Sequence, residues 1–446
     1  VFLVPRRGGN NLLRKNKVLG IFLAVTIVII CIILDFYNFF DFPREVRLVE
    51  GKQLKIELGL PFTFELFCPE DSLTINGLSI KDKLNVNLRE PMVLQSSKLG
   101  TYDLEFRWLG VIPVKKMRVF VMPETRVVPG GHSVGVKLRP NGVIIVGFAP
   151  VTDEEGNKRY PAQEAGLEIG DTIYMVNHQQ IDDAEELSRI INNDTDKIIT
   201  LSIRRDGSIF ETNLQAVKSS SGTFQIGLWV RDIAAGVGTM SFYDPNTGYY
   251  GALGHMISDA DTGKYIEVGE GEIIRARVTS ITPGRKSQPG EKRGVFVHEN
   301  NIIGNIVANT RFGIYGKIYR PIKNPYYSTL PVATVSQVQE GPAEILTVIE
   351  DEKIEAYEIE IQKIFRQSYP SSKGMIIKIT DPELLRKTGG IIQGMSGSPI
   401  IQNGYLVGAV THVFVNDPTR GYAIFAEWMM EEILKLNSEK KLVQNY

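Results

Sequence analysis

The chain has 446 residues, too many for one ordinary core and enough for roughly two to four domains. Its 50 Lys and Arg against 51 Asp and Glu leave a formal net charge of −1, so nothing in the balance points to nucleic acid. The 42 Gly and 22 Pro, set among many short Val/Ile/Thr/Tyr runs, favour a mainly β architecture. Two cysteines, Cys31 and Cys68, cannot make a disulfide framework. The five histidines, His132, His178, His255, His298 and His412, are scattered without metal-ligand spacing, and neither a metal nor a cofactor is expected.

Residues 18–34, from Val18 to Leu34, form a run of seventeen residues without a charge. As a helix this run is about 25 Å long, just enough to span a bilayer with its flanks snorkelling. Arg6, Arg7, Arg14, Lys15 and Lys17 precede it, and Asp35 and Asp41 follow. That asymmetry predicts a cytoplasmic tail and membrane anchor over residues 1–41, with the remainder exported. The following "CIILDFYNFFDFP" has no evident small-x-small cleavage site, so an uncleaved signal anchor is expected.

Residues 42–117 read as short strands punctuated by Gly, Pro and Asp-Ser, a small β-sandwich-like spacer without chemistry. Residues 118–218 differ in texture. Pro161-Ala162, Ala165-Gly166-Leu167, Gly170-Asp171 and Val176-Asn177 precede a helix with Leu187, Ile190 and Ile191 on one face. This spacing resembles a PDZ domain, which adds a peptide to a sheet edge and captures its carboxylate on backbone N–H groups. The resemblance implies "GGHSVGV" as that loop: Gly130, Gly131, His132, Ser133, Val134, Gly135 and Val136. The Ser-rich 218–227 reads as a linker. Residues 221–446 are again strand-rich, and a two-barrel β fold fits them. At their end Phe425, Trp428, Met429 and Ile433 fall on one helical face, expected to pack on the core.

Ser396 lies in Gly394-Met395-Ser396-Gly397-Ser398-Pro399. A serine hydroxyl needs a base to become a nucleophile, and its attack on a carbonyl needs donors for the oxyanion. A Gly-x-Ser-Gly turn can aim the N–H groups of Gly394 and Ser396 into one pocket. Strand-like sequence follows the turn, unlike the strand-to-helix elbow of α/β hydrolases. His255, after Gly251 and Gly254, is the favoured base by its Gly-rich approach and its place before the serine. His412, just downstream in "VTHVFV", is the rival. Asp381, in "IIKITDPELL", is a candidate acid to orient the imidazole. It reads equally as a helix N-cap, with Pro382 next.

His255, Asp381 and Ser396 follow the chain order of chymotrypsin-like proteases, and "GMSGSP" is similar to their nucleophile loop. Together with the anchor and the PDZ-like stretch, "ALGHMISD", "ITPGRKSQPGEKRG", "TGGIIQGMSGSPIIQNG" and "GAVTHVFVNDPTRGYAIFAEWM" resemble the stage IV sporulation protein B peptidase family of spore-forming bacteria. The resemblance implies a chymotrypsin-like double β-barrel protease over residues 221–446, with His255 as base, Asp381 as orienting acid and Ser396 as nucleophile. It implies a serine endopeptidase made in the forespore and exported to the space between the forespore membranes. Such an enzyme cleaves itself and then a membrane-bound regulatory protein of an intramembrane metalloprotease complex, which permits activation of a late mother-cell sigma factor. One departure stands out: the acid of chymotrypsin-like enzymes lies well before the nucleophile, whereas Asp381 is only fifteen residues from Ser396.

Overall fold

The computed structural model describes residues 43–443 apart from 60–62, 69–71, 81–82, 194–197, 298–300 and 366–368, together with Leu23, Thr26 and Ile27. The expected anchor, residues 18–34, lies outside the described residues but for those three, and so does His298. Among the described residues no helix is long and apolar enough to cross a membrane. The chain divides into two units, Val1–Glu124 and Thr125–Tyr446.

In the first unit, period-two burial builds two sheets over one core. Gly100–Trp108 buries Tyr102, Leu104 and Phe106, and Ile112–Met122 buries Met117, Val119 and Val121. One sheet runs Glu45–Val49, Ile112–Met122, Gly100–Trp108, Thr63–Phe67, Leu84–Asn87 in spatial order, and the other has four short strands. Leu66, Leu104 and Val119 of the first meet Leu73, Ile75 and Leu94 of the second in a single cluster. This is the expected sandwich, but its expected end at residue 117 cuts through a strand. Ile112–Met122 is paired on both sides, antiparallel with Gly100–Trp108 and parallel with Glu45–Val49, so the unit runs on to Glu124.

The second unit contains the PDZ-like sheet and two larger β assemblies. The PDZ-like sheet runs Ser208–Gln215, Ile198–Arg205, Thr172–Val176, Val143–Phe148, Leu228–Arg231. Helix Ala184–Asn193 buries Leu187 and Ile191 against Val143, Ile173 and Leu201, with Ile190 partly buried beside them. Its limits differ from the expected 118–218. Ser133–Pro140 pairs instead with Ala234–Tyr243 and Val268–Thr282 of a ten-stranded sheet, and Leu228–Arg231 completes the PDZ-like sheet. Leu138 stands level with Ala234, so the whole PDZ-like module is an insertion between two paired strands of the neighbouring sheet.

The last assembly is a closed six-stranded barrel, in the order Gly341–Val348, Ile354–Ile364, Met375–Ile379, Asp417–Phe425, Tyr405–Phe414, Pro399–Gln402. The terminal helix Ala426–Val443 closes it. Trp428, Met429 and Ile433 of the helix are buried in the barrel's core cluster together with Phe425, which ends the strand before it and not the expected helix, and Phe425 and Trp428 meet edge to face at 4.8 Å. The predicted apolar face is therefore a packing face.

Candidate active site

Ser396 lies between helix Pro382–Thr388 and the barrel strand Pro399–Gln402. Two glycines with positive φ, Gly394 at 91° and Gly397 at 93°, make the bend around it. At Gly397 a Cβ would stand 2.0 Å from the Thr239 carbonyl and 2.5 Å from the Leu253 nitrogen, so the position admits no side chain.

Both β assemblies hold the loop. From the ten-stranded sheet, the Thr239 hydroxyl donates to the Gly394 carbonyl at 2.7 Å, and the Thr239 N–H donates to the Ser396 carbonyl at 3.0 Å. From the barrel, the Val410 carbonyl accepts from Gly397 N–H at 2.7 Å. Beneath the loop, buried Lys292 lays its stem against Gly394 and donates from Nζ to the Thr347 hydroxyl at 2.8 Å. Ser398, also buried, donates to the same hydroxyl at 3.0 Å. Within this frame the N–H groups of Gly394 and Ser396 make no backbone hydrogen bond among the described residues. The half-buried Ser396 hydroxyl donates to the Thr411 carbonyl at 2.9 Å, not to an imidazole.

His255 reaches the same place from the other sheet. Strand Tyr249–Ala252 ends in Leu253 and Gly254, with φ of 68° and 72°, and Leu253 N–H donates to the Thr239 carbonyl at 3.2 Å. Gly254 packs on Thr411, whose Cγ2 would lie 2.8 Å from a Cβ there. The His255 and His412 rings then face one another, 5.1 Å between centroids. His255 Nδ1–H donates to the Met256 carbonyl at 2.8 Å, which fixes the tautomer and leaves Nε2 as the acceptor. Burial pushes the His255 imidazole below its usual value. Desolvation, then the like charges of His255 and Lys373, push His412 down to about 4. Both rings are therefore neutral at pH 7, the state a base requires.

Asp381 is elsewhere. Its carboxylate caps helix Pro382–Thr388, accepting from Leu384 N–H at 2.9 Å. The end of the barrel near Ser396 is marked by Ser372, whose carbonyl accepts from the Thr411 hydroxyl, and by Met375, level with Ala423 and through it with Val410. From Met375 the strand runs away to Ile379, which puts Asp381 roughly 20 Å along at about 3.3 Å per residue. The capping alternative describes this residue, and the acceptor on His255 Nδ1 is a backbone carbonyl.

The segment from Gly130 to Val136 is not a carboxylate loop. Gly130 and Gly131 N–H groups donate to Ser241 and Met240 carbonyls, and Ser133, Val134, Gly135 and Val136 lie in a strand paired on both edges. His132 is turned to the Lys323 carbonyl at 3.2 Å. No edge is left there for a peptide. Leu228–Arg231 is an open edge of the PDZ-like sheet, at the end opposite Ser208–Gln215, and pairs only with Val143–Phe148 among the described residues. Helix Ala184–Asn193 flanks it, tied by Asn192 Oδ1 to Phe224 N–H and by Asp232 to Ala184 N–H. Trp229 is 65% exposed along that edge. The sequence signal was Ile226-Gly227-Leu228-Trp229, a glycine entering a short apolar strand, split between the expected linker over 218–227 and the strand-rich residues assigned to the protease unit.

This edge strand is fastened to the loop after His255. Arg231 donates to Asp259 at 2.5 Å and also pairs with Asp261. Arg204 pairs with Glu267, and Lys264 with Asp206 at 2.5 Å. Burial alone would raise the Asp259 carboxyl, but hydrogen bonds from Thr262 and the Arg231 guanidinium hold it below its usual value.

Residues 222–430 match the family described as SpoIVB peptidase S55, and residues 152–205 match the PDZ domain. No curated protein matches the chain. Among solved structures it is similar to the Rv3671c protease of M. tuberculosis. The active form gives 16% identity over 44% of this chain and 70% of that one, at a TM-score of 0.24. The inactive form gives 16% over 45% and 83%, at 0.24. The HtrA-type protease AlgW with a decapeptide gives 12% over 48% of this chain and 54% of that one, at 0.27. Through residues 222–430 the chain belongs to the SpoIVB peptidase family, with a PDZ domain set between two strands of its first sheet.

Proposed function

We propose that the chain is a serine endopeptidase in which Ser396 is the nucleophile and His255 the base. The observation that carries this is the loop itself: a hydroxyl held between two glycine bends, with the N–H groups of Gly394 and Ser396 unspent beside it and a neutral imidazole on the adjoining turn. In the arrangement described, Ser396 is parked on the Thr411 carbonyl. Catalysis begins when its side chain rotates toward Nε2 of His255. Oγ then bonds to the scissile carbonyl carbon as its proton passes to Nε2, and the two N–H groups receive the oxyanion. The imidazolium returns the proton to the leaving amine, and water hydrolyses the acyl-enzyme by the reverse use of the same groups. The Met256 carbonyl orients the ring in place of a carboxylate.

The family membership supports a sporulation role for this activity. In this reading residues 18–34 anchor the chain in the forespore membrane with the protease outside. The enzyme first cuts itself between the anchor and the PDZ-like module. It then cuts a membrane-bound regulatory protein of an intramembrane metalloprotease complex. The open edge Leu228–Arg231 takes an extended peptide as an added strand. That edge also favours a second reading, a non-catalytic adaptor that captures peptide ends.

The test is to express the full chain and follow self-processing by band size. Ser396→Ala and His255→Ala should each abolish it, and His412→Ala should leave most of it. Processing of Ser396→Ala at the unmodified rate would leave only the adaptor reading. Loss in His412→Ala but not in His255→Ala would exchange the two histidines.

A further inference from the structure

In the first unit, the turn between Gly100–Trp108 and Ile112–Met122 holds its apolar side chains outward. Leu109 and Gly110 have φ of 53° and 73°, and Val111 N–H closes on the Trp108 carbonyl at 3.3 Å, a tight turn within the three residues that join paired Trp108 and Ile112. Such a turn is served by polar residues and needs no apolar neighbours. Yet Leu109 is 74% exposed, Val111 76%, Trp108 50%, Ile112 48% and Val114 39%. Five large apolar side chains on one projecting tip call for a covering phase.

The charge behind the tip has one sign in excess. On the hairpin, Arg107, Lys115, Lys116 and Arg118 outnumber Asp103 and Glu105, and Arg44 lies close to Lys115. Glu105 is shared by Arg107 at 2.9 Å and Lys116 at 3.5 Å, and Asp103 is met by Arg118 at 3.1 Å. Glu65, on the next strand, reaches its carboxylate up against Gly110 of the turn and is met there by Lys83 at 2.9 Å. An apolar tip with a cationic collar is the pattern that suits an anionic bilayer surface.

The direction of the chain agrees. Glu45–Val49 runs parallel to Ile112–Met122 with Glu45 level with Arg118. The chain therefore comes in beside Arg118 from the side on which the hairpin continues to Val111. That is a projection of about 20 Å at ~3.3 Å per residue. Residues 35–44 reach about 33 Å at full extension, so a tip on this side can stand at the surface in which residues 18–34 are proposed to sit.

We infer that the hairpin tip of Trp108, Leu109, Val111, Ile112 and Val114 inserts into the surface of an anionic lipid bilayer, with Arg107, Lys115 and Lys116 meeting the headgroups. Only the direction argument rests on the proposed anchor.

The core clusters of both units begin at Val46, so a chain starting at residue 43 keeps all of them and lacks the anchor. That chain is floated with vesicles of phosphatidylglycerol and phosphatidylcholine, and with phosphatidylcholine alone. Binding to the anionic vesicles is expected, with a blue shift in emission that Trp108→Phe removes. Leu109→Asp with Val111→Asp should weaken binding at least tenfold. Asp suits the positive φ at 109, so this loss is not a folding defect. Lys115→Gln with Lys116→Gln should erase the preference for anionic lipid. Absence of binding to either vesicle, or binding that the aspartates leave unchanged, overturns the inference. So does a vesicle-blind chain that dimerises through the tip and is made monomeric by the same aspartates. The anchor is judged separately, by whether the full chain resists carbonate extraction from membranes.

Discussion

Lys292 is a buried amine with no acid at hand, 2% exposed, hydrogen-bonded to the Thr347 hydroxyl under the nucleophile loop. Burial alone drives it from 10.5 to about 7. At about 1.4 kcal/mol per pH unit, the charged form costs about 5 kcal/mol to bury. The sign follows from proton counts. Between the folded value near 7 and the unfolded value near 10.5 the unfolded chain binds more protons, so this group makes stability rise with pH across that window. Below pH 7 the whole penalty is present. Lys292→Met keeps the stem against Gly394 and removes the charge. The difference between the two proteins should therefore change by about 2.5 kcal/mol between pH 7.5 and pH 9.5, the unmodified protein gaining toward high pH. Denaturant unfolding read from Trp428, with exposed Trp108 and Trp229 replaced by Phe, reports on the second unit, which holds both Lys292 and Trp428. Curves that stay parallel over those two pH units would mean that the amine is solvated or paired, and the reasoning would fail.

Asp381→Ala should remove an N-cap and cost about 0.5–2 kcal/mol of stability by denaturant midpoint, with self-processing retained. Processing lost in a folded Asp381→Asn protein would restore the acid role that the sequence resemblance implied. The rate of self-processing should hold into mildly acidic pH and fall only below the ordinary histidine range, because burial favours the neutral His255 ring. An acid limb above pH 6.5, measured on the full chain, would contradict the environment described for that ring.

The protease half was legible because its signals are local and chemical. Glycines around Ser396 and before His255 mark bends that other residues cannot make, and the structure draws those two loops onto Thr239 from either side. The apolar face of the terminal helix was legible for the same reason, since one period of sequence decides it. Asp381 failed because an N-capping aspartate and an orienting aspartate look alike in sequence. Only strand register separates them, and register is a long-range property. "GGHSVGV" failed through an insertion. A strand lying next to the PDZ-like module in sequence pairs across it with residues about a hundred positions later. Gly130 is close to the backbone there, with a Cβ 2.0 Å from the Met240 carbonyl, but sheet packing requires this and peptide capture does not.

The insertion also has a mechanical consequence. Between Leu228 and Thr239 the chain passes from the open PDZ edge, through Arg231 with its hold on Asp259, to the threonine that pins Gly394 and Ser396. One continuous stretch therefore touches the open PDZ edge, the histidine loop and the serine loop. On the proposed reading, a peptide added to Leu228–Arg231 hydrogen-bonds to the backbone beside Arg231 and so bears on both loops at once. Arg231→Met breaks the link while keeping the strand. It leaves Asp259 buried without its cation, at a cost of about 3 kcal/mol, the low end for such a pair because Arg231 is 30% exposed. Proteolytic nicking between residues 255 and 267 should increase, and self-processing should slow. A peptide that alters the processing rate of the unmodified chain should no longer alter that of Arg231→Met, although it still binds by fluorescence of Trp229. If the peptide acts equally on both proteins, Arg231 only fastens the module in place, and the two loops respond to the peptide by some other route.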